Sequence, residues 1–109
     1  MKNDHLHLGH ILEAADRILL YGKRGEEAFR QDLMIQDAIV RNLQVMGEAV
    51  KKVSQETRAA YPDVPWKDIA GMRDRVVHDY FGVSLGIVWD VVSNHVPPLR
   101  EKLKRIRAG

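Results

Sequence analysis

The chain contains no cysteine among its 109 residues. A disulfide framework and a thiolate metal site are therefore excluded, and this absence fits the cytoplasm, which is the location that we expect. The sequence does not open on a charged segment followed by an apolar run. Its longest uncharged apolar stretch, at about residues 81–89, is far too short to span a bilayer. We therefore expect neither a leader nor contact with a membrane.

Strand signals, repeats and low-complexity segments are also scarce. The fractions of hydrophobic and charged residues, 45% and 29%, are those of an ordinary globular protein, and the length fits a single domain over residues 1–109. The net charge is only +2, but residues 100–107 hold five cations against one anion. This run can attract RNA phosphates or offset the dipole at a helix C-terminus, and we favour the second as the local explanation.

Apolar residues at helical spacing predict an all-α fold, an up-and-down bundle of about four helices. The first helix covers about residues 4–21 and stops at Gly22. After an acidic turn at residues 25–27, apolar residues resume and continue to about Val53. This second apolar surface is so wide that its helix must bury two sides. One side would face the bundle and the other a second copy of the protein, which predicts a homodimer.

Two further helices follow a linker at residues 61–65. The third helix is predicted to run to Tyr80 and to close at Gly82. Ser84 is the candidate N-cap of a fourth helix, which extends through the basic run near the end of the chain. Pro97 and the proline after it predict a kink in this last helix.

The densest chemistry of the sequence lies at residues 73–80, with two arginines, two carboxylates, a histidine and a tyrosine. Arginine grips phosphate oxygens with a fork of donors, and histidine transfers protons near neutral pH. Together they suit phosphate-ester chemistry. The alternative is a solvated helix face, on which Arg75 and Asp79 form an ordinary pair worth about 0.3 kcal/mol.

Helical geometry sorts these residues. Successive residues advance by about 100° on an ideal helix, so Arg73 and Tyr80 share a face, and Asp74 lies one turn from His78, where it can fix the imidazole tautomer. Arg73 and His78, however, are about 140° apart and cannot both point at one phosphate on a regular helix. Arginine's reach, fraying after Val77 or a site shared between two protomers would reconcile them, and we favour the shared site.

The spacing of Arg73, His78 and Tyr80 resembles the R-x4-H-x-Y signature of HEPN-domain proteins, specifically the HepT-like toxins. Similar stretches lie at residues 39–43, 47–49, 61–66 and 71–73, so that the resemblance covers about residues 6–105. The resemblance implies a metal-independent ribonuclease toxin that is active as a dimer, needs no cofactor and cuts tRNA or mRNA. It also implies a MntA-like nucleotidyltransferase antitoxin, which attaches AMP to the tyrosine and blocks the RNA site.

Arg73 and His78 are then the expected catalytic residues. His78 would act as general base on the ribose 2′-hydroxyl, or as acid on the leaving 5′-oxygen in the opposite subunit, and Arg73 would stabilise charge on the phosphoryl oxygens. Asp74 would support His78, while Arg75 and Tyr80 would contact the substrate. Asp74 stands where the family often has asparagine, and its carboxylate repels RNA phosphate unless Arg75 or His78 neutralises it.

Other polar residues receive no catalytic role. Histidines occur at positions 5, 7 and 10, but no carboxylate completes a convincing ligand set, so we expect no metal site. Arg41, Asn42 and Glu48 resemble family positions and are expected to orient the second helix. The alternative to an enzyme is a non-catalytic helical module that binds a nucleotide or a protein. A purely structural dimer would explain the apolar surfaces but not the chemistry at residues 73–80.

Overall fold

The computed structural model describes residues 2–72 and 85–108, and every regular element in these ranges is helical. Three long helices form the body of the molecule: α1 (Lys2–Tyr21), α3 (Leu33–Lys51) and α7 (Val96–Ala108). Four short helices accompany them: α2 (Glu26–Gln31), α4 (Gln55–Ala60), α5 (described at residues 66–72) and α6 (Leu85–Asp90). None of these described helices combines the length and the apolar character that crossing a bilayer requires.

The described part of the chain contains more helices than the sequence predicts. The all-α class is confirmed, and helices lie where we expect the first, second, third and last ones. The estimate of about four is too low, because α2 and α4 are additional helices of six residues each. Six residues complete fewer than two turns, which is too short for a 3.6-residue period to show in the sequence.

The corner between α2 and α3 is built from side chains that bind helix ends. The carboxylate of Asp32 accepts a hydrogen bond from the backbone N–H of Met34 at 2.9 Å and caps α3. Gln36 is buried, and its amide donates to the carbonyl oxygens of Phe29 at 2.9 Å and Arg30 at 3.1 Å. These carbonyls are at the end of α2, where the helix itself offers them no donors. Gln36 therefore fixes the direction in which α3 leaves α2.

The core lies where α1 packs against α3 and α7. The apolar stripe predicted for α1 is confirmed at Leu8, Ile11, Ala15 and Ile18, all of which are buried. The largest fully buried side chains of the other elements in the described ranges are Phe29, Ile39, Leu43, Met46, Ile69 and Leu103. One contiguous core thus involves all three long helices.

The wide apolar surface of α3 is largely used within one chain. Most of its apolar residues between Ile39 and Val50 are buried, and Ile35 and Val45 are partly buried. The helix packs against α1 and α2, so that two sides are covered without a second molecule. The width of this surface therefore does not require a partner copy, and the homodimer stays a prediction.

The last helix is interrupted where its two prolines predict a kink. A π-helical turn at Val91–His95 joins α6 to α7, and Pro97 and Pro98 lie in the first turn of α7. Proline has no N–H, so carbonyls four residues earlier lose their α-helical donors. The backbone N–H of Val96 instead bonds to the carbonyl of Val91, five residues earlier. The chain therefore stays helical through the interruption by widening one turn.

Candidate functional site

The predicted site residues lie outside the described residues. These residues are Arg73, Asp74, Arg75, His78 and Tyr80. In the sequence, their segment stands between α5 and α6. Their roles as catalytic, supporting, substrate-binding and modified residues therefore stay predictions.

The helix that precedes this segment is anchored in the core. Trp66 is buried, and its indole N–H donates to the carbonyl of Tyr61 at 3.0 Å. Ile69 is also buried, and its backbone N–H donates to the carbonyl of Pro65 at 3.0 Å. Pro65 thus stands directly before α5, as its fixed φ angle predicts. Buried side chains hold α5 on the bundle up to the partly buried Met72.

A first groove of about 340 Å³ lies between α5 and the α6–α7 region. Ile69, Met72, Val88 and Leu99 are among its apolar lining residues. At its edge, the imidazole Nε2 of His95 lies 3.3 Å from a carboxylate oxygen of Asp90. The groove therefore combines an apolar interior with one exposed imidazole–carboxylate pair.

A second groove, of about 330 Å³, lies between α1 and α3. We name it the α1–α3 groove. Its lining residues are His7 and His10 from α1 and Arg41, Gln44, Val45, Glu48, Ala49 and Lys52 from α3 and its C-cap. Within the described ranges, no three histidine, aspartate or glutamate side chains converge as metal ligands would. The groove lining combines two cations and one carboxylate with two histidines, one amide and two apolar side chains.

Sequence patterns do not predict this groove, although some of its residues stand at family positions. Asn42 is buried and donates to the carbonyl of Ala38 in the same helix at 2.8 Å, so its expected role in orienting α3 stays a prediction. Arg41 and Glu48 are exposed and line the groove instead of supporting the core. The resemblance of these two positions to the family is the feature of the sequence that indicates them. The sequence does not indicate that α1 packs beside them and contributes two histidines to the groove.

A buried carboxylate ties the start of α1 to the start of α4. Asp4 accepts hydrogen bonds from the Ser54 hydroxyl at 2.5 Å, the Ser54 backbone N–H at 2.9 Å and the Thr57 hydroxyl at 2.6 Å. These bonds, chiefly the one from the Ser54 hydroxyl, hold the pKa of the Asp4 carboxyl well below its usual range. Ser54 also caps α4 by accepting from the Thr57 N–H at 3.2 Å. The network therefore holds the N-terminal ends of α1 and α4 together.

The basic run at residues 100–107 makes several contacts within the chain. Arg100 donates to Asp16 of α1, and the bond to this carboxylate raises the pKa of the guanidinium. Lys102 donates to the carbonyl of Asp63 at 2.8 Å. The Arg107 guanidinium lies so close over Gly9 that a Cβ there would be 2.8 Å from Nη2. These contacts fasten α7 to the rest of the bundle, and the dipole explanation of the run stays a prediction.

The family model described as "Ribonuclease HepT-like" matches residues 11–106 of the chain. The chain belongs to the HepT-like ribonuclease family. The resemblance seen in the sequence is thereby confirmed. The HepT-like match runs from within α1 to within α7 and includes all five predicted site residues. Membership in this family indicates a ribonuclease.

Curated relatives carry related names. "Gamma-glutamylcyclotransferase and putative RNase" of Methanocaldococcus jannaschii is 40% identical over 106 residues, which are 96% of this chain and 48% of the relative. The chain thus spans about half the length of that protein. A "Putative RNase" of Caldanaerobacter subterraneus subsp. tengcongensis is 39% identical over 107 residues, covering 97% of this chain and 96% of the relative. "Probable ribonuclease HepT" of Thermococcus cleftensis is 36% identical over 81 residues, 74% of each chain. No solved structure matches the chain significantly.

Proposed function

We propose that this HepT-like chain is a ribonuclease toxin that cuts RNA without a metal ion. The observation that carries the proposal is the family match over residues 11–106, because it includes the complete R-x4-H-x-Y segment from Arg73 to Tyr80. A relative that aligns over almost the full length of both chains bears the name of an RNase, which supports RNA as the substrate.

The proposed reaction is an internal transfer at phosphorus. His78 removes the proton of a ribose 2′-hydroxyl, the 2′-oxygen bonds to the adjacent phosphorus, and the bond to the 5′-oxygen breaks. The leaving oxygen takes a proton from the His78 of a second protomer. Arg73 donates to the nonbridging oxygens, where negative charge develops in the transition state. The products are a 2′,3′-cyclic phosphate and a 5′-hydroxyl.

Three neighbouring residues complete the proposed site. Asp74, one helical turn before His78, holds the imidazole in one tautomer and favours its protonated form. Arg75 offsets the charge of Asp74 and contacts the RNA backbone. Tyr80 contacts a phosphate or a base from the Arg73 face. This division of roles follows the spacing of the residues and the family resemblance.

The proposed control of the toxin is covalent. A MntA-like nucleotidyltransferase transfers AMP from ATP to the phenolic oxygen of Tyr80 and releases pyrophosphate. The new phosphodiester brings a negative charge beside Arg73 and occupies donors that the RNA backbone needs. The adenosine adds steric blockage of the same site.

Incubation of the purified protein with total RNA in EDTA tests the proposal. We expect cleavage by the wild type and none by Arg73→Ala or His78→Ala, with circular dichroism spectra that match the wild type. Arg17→Ala is a matched control, because Arg17 is exposed on α1 and pairs only with Glu13 in the described structure. Cleavage by either site variant would refute the role of that residue. Intact RNA with the wild type would instead favour the non-catalytic binding module.

A further inference from the structure

We propose that the α1–α3 groove binds the sugar–phosphate backbone of single-stranded RNA. This inference rests on the proposed function, because it assumes that RNA is the substrate. It adds a second contact region, formed by elements other than the predicted catalytic segment. His7, His10, Arg41 and Lys52 are its candidate donors, and all four line the groove.

The charges of the groove favour an anionic ligand. Arg41 and Lys52 are exposed, and no hydrogen bond or ion pair in the described part of the chain involves either side chain. Glu48 lies between them in the sequence and reaches the ammonium of Lys51 at 3.9 Å. Glu48 itself lines the groove and Lys51 does not, so the charged lining is two cations against one anion, which leaves a net positive charge.

The spacing of these cations suits an extended polyanion. Arg41 and Lys52 are eleven positions apart along α3 and its C-cap, which corresponds to about 16 Å at the helical rise. A single compact anion would contact both side chains only if both extended fully toward each other along the helix. A single-stranded RNA backbone carries one charge per nucleotide and can place successive phosphates near each cation.

The histidines supply hydrogen-bonding groups between the two cations. The rings of His7 and His10 are near each other, with centroids 6.2 Å apart. Nδ1 of His7 is buried, and within the described structure it has no hydrogen-bond partner. This nitrogen has almost no surface that a ligand could reach, so it is not itself a contact for RNA. His10 is exposed, and its ring nitrogens can donate to a phosphate oxygen or accept from a ribose hydroxyl.

Apolar surface completes the fit. Val45 and Ala49 line the groove between the polar side chains. A ribose ring or the face of a base can cover such surface, whereas a free phosphate cannot. The groove thus offers both contacts that a nucleotide chain needs, charge for its backbone and apolar area for its sugars and bases.

Binding of an RNA that cannot be cut separates this inference from catalysis. The probe is a fluorescein-labelled 12-mer of 2′-O-methyl ribonucleotides, which keeps every phosphate but has no 2′-hydroxyl proton to remove. Fluorescence anisotropy would give the Kd over a series of salt concentrations. We expect Arg41→Gln and Lys52→Gln each to weaken binding by about three- to tenfold. The slope of log K against log salt should fall by about 0.7 for each lost contact.

Two controls accompany these variants. Lys23→Gln removes the same charge from an exposed position in the 3₁₀ turn Gly22–Arg24, outside the groove, and should change the Kd by less than about twofold. Arg41→Lys keeps the charge and should bind nearly as the wild type. Groove variants that bind no worse than Lys23→Gln, or a wild type that does not bind the probe, would overturn the inference. The inference would also be overturned if the groove variants lost binding to a nucleotidyltransferase partner while their binding of RNA was unchanged.

The outcomes distinguish the groove from the catalytic proposal. A protein that fails to cut total RNA in EDTA but shows groove-dependent binding would retain the groove and lose the proposed reaction. A protein that cuts RNA while all groove variants bind the 12-mer normally would retain the reaction and lose the groove. In an active protein, groove variants should raise KM more than they lower kcat, because the contact is the same in the ground and transition states.

Discussion

Asp4 joins two parts of the chain that are fifty residues apart in the sequence. Its carboxylate accepts from Ser54 and Thr57, and nothing in the periodicity of α1 indicates this pairing. Sequence patterns report on neighbours along one helix, whereas this contact depends on how α1 and α4 meet. A buried charged group at the start of a helix could therefore be recognised only from the fold.

The Asp4 network should contribute stability that depends on pH. Asp4→Asn removes charge-assisted hydrogen bonds and should lower the free energy of unfolding at pH 7 by about 1–3 kcal/mol. Because folding depresses the pKa of this carboxyl, its contribution is complete above the unfolded pKa of about 4 and is lost as the pH falls below it. The difference in the free energy of unfolding between wild type and variant, measured by urea denaturation, should be smaller at pH 3 than at pH 7. Asp63→Asn, at an exposed position, is the control and should change the free energy of unfolding little. If Asp4→Asn lowered this free energy equally at both pH values, the stabilising role of the ionised Asp4 carboxylate would be wrong.

Tyr80 is the residue at which the proposed regulation can be tested. Tyr80→Phe removes only the phenolic oxygen, so the variant should fold, should retain much of its cleavage and should escape inactivation by a MntA-like enzyme with ATP. The mass of the wild type should rise by whole AMP units, with the label on the peptide that contains Tyr80. Labelling that persists in Tyr80→Phe, or a labelled wild type that cuts RNA at the full rate, would contradict this role.

At the scale of elements, sequence periodicity predicts the long helices and misses the short ones. The buried face of α1 extends over several turns, with Leu8, Ile11, Ala15 and Ile18, so the spacing of apolar residues predicts it from the sequence. In α2, only Phe29 is buried, and one residue defines no period. The two prolines of α7 predict an interruption, and the structure shows that it takes the form of a π-helical turn at Val91–His95.

The α2–α3 corner offers a test of element packing. Gln36→Leu keeps the size of the side chain but removes both hydrogen bonds to the end of α2, leaving the carbonyl of Phe29 without this donor. We expect a loss of about 1–3 kcal/mol in the free energy of unfolding, measured by urea denaturation. Gln31→Leu, at an exposed position of α2, is the matched control and should stay within about 0.5 kcal/mol of the wild type. Equal midpoints for the two variants would show that the corner does not depend on Gln36.

At the scale of the whole molecule, the helical class and the family follow from the sequence, but the surfaces do not. The R-x4-H-x-Y spacing is local, so it is visible without a structure, and its five site residues stay predictions. The α1–α3 groove needs two helices that are separated by α2 to pack side by side. The sequence likewise does not show which cations of the basic run bind acidic residues elsewhere in the chain, as Arg100 binds Asp16.

We predict a homodimer with a site shared between its protomers. Arg73 and His78 diverge by about 140° on an ideal helix, so one helix alone cannot direct both at the same phosphate. Exposed apolar residues at the start of α3, Leu33 at 68% and Met34 at 81%, are additional candidate contact surface. Light scattering at micromolar concentration should give twice the mass of the chain. Mixing equal amounts of wild type and His78→Ala should leave about a quarter of the wild-type activity, because each site needs His78 of both protomers and a mixed dimer is inactive. An active monomer, or about half of the activity in confirmed mixed dimers, would exclude the shared site.

The chemical ends of the RNA fragments report whether the ribose 2′-oxygen attacks the phosphorus. A defined RNA oligonucleotide would be incubated with the protein in EDTA, beside a copy with a 2′-deoxyribose at the mapped cleavage position, and the fragments analysed by mass spectrometry. We predict fragments with a 2′,3′-cyclic phosphate and a 5′-hydroxyl from the RNA, and no cleavage at the deoxy position, because the 2′-oxygen is the nucleophile. Fragments with a 5′-phosphate and a 3′-hydroxyl, equal cleavage at the deoxy position, or intact RNA would contradict the account.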